Sequence, residues 1–146
     1  MTPDQLFAVS GPIAMAGWLT LIAGIILNRP FLRDRIAGLY IPLALSAAYT
    51  VLILIFWWSA EGGFDTLSNV QKLFTQGWIA LAGWVHYLAF DLLTGVWEVR
   101  DAAARNLPHR LVVPCLFLTF LFGPAGWLLY MAVRSLSSQG SGNGNR

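Results

Sequence analysis

Apolar residues fall in four long runs, at about residues 6–27, 36–60, 78–99 and 111–133. Each run holds roughly 20 residues or more. At about 1.5 Å per helical residue that matches a hydrocarbon core of about 30 Å. No run alternates with period two, which argues against a membrane barrel. Between the second and third runs, Phe64, Leu67, Val70 and Phe74 recur at helical spacing after Gly62-Gly63, with Asp65 or Thr66 placed to cap the turn. That segment reads as a short amphipathic helix on the membrane surface, or as a plain helical connector. The pattern predicts an all-α, four-transmembrane-helix bundle over residues 1–136 and a flexible tail at 137–146, rich in Ser, Gly and Asn. Asp4 is placed to cap or precede the first helix, and Pro12 allows a bend in it.

Composition strengthens this picture. Of 146 residues, 57% are hydrophobic and only 11% charged, against about 25% charged in soluble domains. A net charge of +2, scattered along the chain, is too small to suggest a nucleic-acid surface. The start has no basic segment, which argues against a cleaved signal peptide and against an organelle presequence. Arg29, Arg33, Arg35, Arg100, Arg105 and Arg110 lie in the first and third connections, against Lys72, Arg134 and Arg146 on the other side. The positive-inside rule then puts the loops 28–35 and 100–110 in the cytoplasm and both termini outside it, as in a bacterial plasma membrane. Cys115, among apolar residues, reads as a small core residue.

The third run carries the candidate chemistry. Asp91 lies at mid-depth, where a charge costs about 2.5–3.5 kcal/mol even on insertion scales. On a helical wheel Trp84 and Glu98 fall about 20° to either side of it, Tyr87 about 40° and Thr94 about 60° away. Leu81, Val85, Leu88, Leu92 and Val99 gather on another side. The polar face is expected to look into the protein and the aliphatic one toward lipid. Asp91 is either a functional acid or a packing lock. Glu98, nearer the interface, is either a functional carboxyl or a hydrated one beside Arg100. His86 stands about 140° from Asp91, so one straight helix does not bring them onto one ion. No paired ligand motif is present, and no metal or cofactor is expected. His109 reads as interfacial.

Trp57, Trp58, Trp78, Trp97 and Trp127 suit interfacial belts, whereas Trp84 is deeper. Phe122-Gly123-Pro124-Ala125-Gly126 breaks the last run. The backbone groups so freed are tolerated only where protein or a cavity meets them.

Several segments together resemble the abscisic-acid-deficient-four-like family, small four-helix membrane proteins that include the plant neoxanthin synthase. They are Met1-Thr2-Pro3-Asp4-Gln5-Leu6-Phe7, Gly83-Trp84-Val85-His86-Tyr87-Leu88-Ala89-Phe90-Asp91-Leu92 with Gly95 and Trp97-Glu98, then Pro108-His109, Val113-Pro114-Cys115 and Thr119-Phe120-Leu121-Phe122-Gly123-Pro124-Ala125-Gly126. The resemblance covers about residues 1–134, and the run from Trp84 to Asp91 is its most specific part. It implies carotenoid, xanthophyll or related isoprenoid metabolism, with a lipophilic, carotenoid-like partner in the bilayer. Turning an epoxy-carotenoid into an allenic alcohol needs an acid at the epoxide oxygen and a base at a nearby C–H. Asp91, His86, Glu98 and Tyr87 are the candidate catalytic residues. Because such a polyene is about as long as the bilayer core is thick, Glu98 is better placed than Asp91 for an epoxide-bearing ring. Two other classes stay open: a non-catalytic pigment- or lipid-binding subunit, alone or in a homo-oligomer or membrane complex, and a small transporter or proton relay.

Overall fold

The computed structural model of the chain describes residues 1–142, and every regular element among them is helical. Three helices are long and apolar enough to cross a membrane: α1 (Pro3–Ile26), α2 (Phe31–Ser59) and α4 (Gly77–Ala104). A short helix, α3 (Leu67–Thr75), precedes α4, and α5 (His109–Phe122) and α6 (Pro124–Gly142) follow it. The chain divides into two compact units, Met1–Phe90 and Asp91–Arg146.

In the first unit, α1 starts on Thr2 rather than Asp4. Thr2 Oγ1 accepts from the Gln5 amide at 3.3 Å, and Gln5 Oε1 accepts from the Thr2 amide at 2.9 Å. This reciprocal cap satisfies donors that a helix start leaves open. Past Ile26 the chain turns at Asn28 (φ +49°), with Arg29 N bonded to Gly24 O and Asn28 N to Ile25 O. Asparagine tolerates that left-handed turn, and Pro30 prevents the helix from continuing.

The first ten residues of α2, Phe31–Tyr40, form a π-helix, closed by Ile41 N on Ile36 O. Pro42 gives the physical reason. Its ring removes one amide and crowds the carbonyl four residues back, and a wider turn before it relieves that clash. The core of this unit is Ala14 of α1, Leu45 and Leu52 of α2, and Leu81, Ala82, Val85 and Ala89 of α4. Between membrane helices it is the fit of such small and branched side chains, not expulsion of water, that holds the packing.

α3 confirms the expected connector helix. Thr66 caps it by accepting from Asn69 N at 3.2 Å, and the Asp65 carboxylate accepts from Asn69 Nδ2 at 2.9 and 3.1 Å. Those bonds hold the exposed Asp65 carboxyl below the usual carboxylate range. Phe64, Leu67 and Phe74 are all more than half exposed, as suits a helix resting on an apolar surface.

The second unit departs from the expected fourth span over residues 111–133. α5 is only 14 residues long, about 21 Å, too short for a core of about 30 Å. It does not continue into α6. Thr119 and Gly126 are in contact, although one unbroken helix would hold them about 10 Å apart. Further on, Tyr130 and Arg134 of α6 reach Asp101 on α4. The chain therefore reverses at Gly123, and α6 returns toward the end of α4 from which α5 set out. The cause is local. Gly123 takes φ +30°, and Pro124 offers no amide to extend α5. α6 runs on to Gly142, taking in the first residues of the expected tail. Residues 143–146 lie outside the described residues.

The tight reversal depends on Gly126, since a Cβ there would overlap the Thr119 backbone and hydroxyl. Alanine is the better helix former by about 1 kcal/mol, but overlap with backbone cannot be relieved by rotating a side chain. Gly126→Ala is expected to lower stability by about 1–3 kcal/mol net, read as an earlier midpoint in mixed-micelle denaturation.

Candidate functional site

The polar residues of α4 have distinct fates in the second unit. Asp91, Glu98 and Asp101 stand at i, i+7 and i+10, within about 80° of one face. They form a column that meets the α5–α6 hairpin at its tip, its middle and its base.

At the tip, Asp91 is 8% exposed, and its Oδ1 fills the space a Cβ on Gly123 would need. A carboxyl there sits beside the first turn of α6, whose amides lack helical partners and whose dipole favours negative charge. The packing reading of Asp91 thus has a concrete object, the reversal itself.

In the middle, Glu98 is completely buried, and so is Thr119 on α5. Thr119 Oγ1 donates to the two carboxyl oxygens at 2.9 and 3.1 Å. Glu98 is not the hydrated interfacial residue that its position near Arg100 allowed. One hydroxyl cannot saturate a carboxylate, which offers about four acceptor positions, but it can also accept a hydrogen bond from a neutral carboxyl. Thr119 is therefore a partner for either protonation state. Cys115, one turn earlier on the same face of α5, is fully buried and donates Sγ–H to Leu111 O at 3.3 Å.

At the base, Asp101 Oδ2 accepts from Tyr130 OH at 2.7 Å and from Arg105 Nε at 2.9 Å, and pairs with Arg134 Nε at 3.2 Å. Tyr130 is fully buried and meets Trp97 edge to face at 5.6 Å. This cluster was missed in the sequence. The Asp101–Arg105 spacing of i, i+4 was the one available signal. Tyr130 carried no signal in the sequence, and Thr119 appeared only within a resembling segment, with no role attached.

His86 and Tyr87 belong to the first unit. His86 is exposed, stacked on Phe90 at 4.6 Å and lying 5.3 Å from Tyr49. Tyr87 is half-buried, with its ring 5.5 Å from Trp84. His86 lies twelve residues before Glu98 in the sequence, in the other unit. The expected lipid-facing stripe is also corrected: Leu81, Val85, Leu92 and Val99 are all less than 9% exposed. The exposed residues of α4 include His86 and Phe90 in the first unit, and Leu93, Trp97 and Arg100 in the second. Leucine and valine gave no direction because lipid and a membrane-protein core are equally apolar.

These features define an all-helical membrane protein with a carboxyl buried beside a helical hairpin. Its family is also known: residues 5–130 match the family described as ABA DEFICIENT 4-like, and the chain belongs to it. No curated protein and no solved structure matches the chain.

The tip geometry makes a coupling prediction. Gly123→Ala and Asp91→Ala should each destabilise by about 1–3 kcal/mol. In the double variant the clash has lost its partner, so the combined loss should fall short of the sum by at least about 0.5 kcal/mol. A double-mutant cycle of denaturation midpoints measures this, and strict additivity would show that Asp91 does not support the reversal.

Proposed function

We propose that the chain is a membrane-embedded acid–base isomerase of a lipophilic isoprenoid of the epoxy-carotenoid class, with Glu98 as the proton-transferring group. The observation that carries this reading is the fully buried Glu98 with Thr119 as its hydrogen-bond partner. Family membership supports a related role in isoprenoid metabolism. The chemistry is redox-neutral. A neutral Glu98 gives its proton to the epoxide oxygen as a C–O bond breaks. The adjacent C–H bond yields its proton to the carboxylate just formed, and its electrons complete the new double bond. One carboxyl closes the proton cycle, with Thr119 bonded to it in both states. Asp91 serves as a positioning residue at the hairpin tip. His86 and Tyr87, the other candidates read from the sequence, would act only where substrate contacts the first unit.

A groove in the first unit favours the alternative of a pigment- or lipid-binding protein without catalysis. It encloses about 400 Å³ and is lined by α1, α2 and α4. Its walls include Val9, Ile13, Ala44, Ala48 and Val85, with the Ser10 hydroxyl as a polar exception.

Expression in cells that make epoxy-xanthophylls, followed by chromatography of their pigments, separates the two. A new allenic product should appear with the native chain. It should be lost with Glu98→Gln and fall by about 10- to 100-fold with Thr119→Val. A copurifying carotenoid with no new product would instead favour the binder.

The proposed topology has three crossings, α1, α2 and α4, and a re-entrant α5–α6 hairpin in place of a fourth. Arg134 then joins Arg100, Arg105 and Arg110 on one side, and the basic bias makes that side cytoplasmic. This moves the C-terminus to the cytoplasm and leaves the N-terminus outside it. Reporter fusions should give a cytoplasmic signal after residue 146 and a non-cytoplasmic one within residues 61–66. The same signal at both sites would rule out the hairpin topology.

A further inference from the structure

The base of the hairpin holds more positive charge than its own carboxylate neutralises. Asp101 faces two guanidiniums, and it engages both through Nε. That choice of atom matters. An arginine bound by Nε keeps its outer amino edge for another partner. Among the described residues, Arg134 Nη1 meets the thioether of Met131 at 3.6 Å, a weak acceptor. The Arg134 guanidinium also lies over the Trp97 ring, 5.9 Å from its centroid. The two side chains are 40% and 27% exposed, so their outer edges are accessible. Asp101 is three residues from the end of α4, about 4.5 Å of helix, which places the cluster at headgroup depth.

We infer that Arg105 and Arg134, held side-on by Asp101, form a binding fork for the phosphate of an anionic lipid headgroup. The chemistry is that of paired, planar donors on a phosphate, which a point-charge ammonium reproduces poorly. The buried Tyr130 hydroxyl and the Trp97 ring preset the fork before any ligand arrives, so little side-chain freedom remains to be lost on binding. The inference is independent of the isomerase reading, because none of these groups takes part in the proton cycle.

The test uses the full chain in neutral detergent. Native mass spectrometry and thermal melting are followed with short-chain phosphatidylglycerol, phosphatidylcholine or inorganic phosphate added. Phosphatidylglycerol should bind and raise the melting temperature, and phosphatidylcholine should do neither. Arg134→Lys keeps the charge and the Asp101 pair, so its melting without lipid should stay near that of the native chain. Its phosphatidylglycerol affinity should nevertheless fall about three- to tenfold. Arg110→Gln, outside the fork, should leave binding unchanged. Displacement of the lipid by inorganic phosphate would assign recognition to the phosphate group alone. Binding that phosphate cannot displace would assign it to the whole headgroup. Equal binding of both lipids, or full affinity in Arg134→Lys, would overturn the fork.

Discussion

A backbone that reverses direction away from water must have its polar groups met by protein. That constraint falls on Gly123-Pro124, where α5 ends and α6 begins. Much of the second unit follows from it. Gly123 must lack a side chain because the Asp91 carboxyl occupies that space, and Gly126 must lack one because Thr119 lies against it. Asp91, costly at that depth as an isolated charge, becomes intelligible as the group placed against the open end of α6.

The same column on α4 shows how environment separates three carboxyls on one face. Asp101 is surrounded by Tyr130, Arg105 and Arg134 and is fully occupied as an anion. Asp91 is tied to the reversal. Glu98 has no cation paired with it among the described residues, and its hydrogen bonds come from a hydroxyl able to donate or accept. An anion locked between guanidiniums is a poor proton carrier. A carboxyl whose partner suits either protonation state is a good one.

Much of this was legible in the sequence, and the limits have physical causes. The helices of the first unit and the α3 connector follow from apolar run lengths and from Thr66 as a cap. The Gly123-Pro124 break was visible as a break. Its outcome was not, because a kink and a reversal require the same residues, and only the contact between Thr119 and Gly126 separates them. The polar face of α4 was read correctly as inward for Asp91 and Glu98. The outward face was misassigned, because aliphatic side chains do not distinguish lipid from core. Thr119 was hidden for a related reason: a lone hydroxyl in an apolar run has many bland explanations until its partner is known.

The functional weight on Glu98 rests on what the hairpin does not require. Its tip packs against the Asp91 carboxyl at Gly123, and its base is held by Tyr130 and Arg134 on Asp101. A segment fixed at both ends needs no third polar clamp between them. An apolar pair of similar volume at positions 98 and 119 would pack there without the desolvation cost of a buried carboxyl. Glu98 and Thr119 are therefore expensive and architecturally redundant. The proposed role as a proton-transferring group would account for keeping so costly a pair.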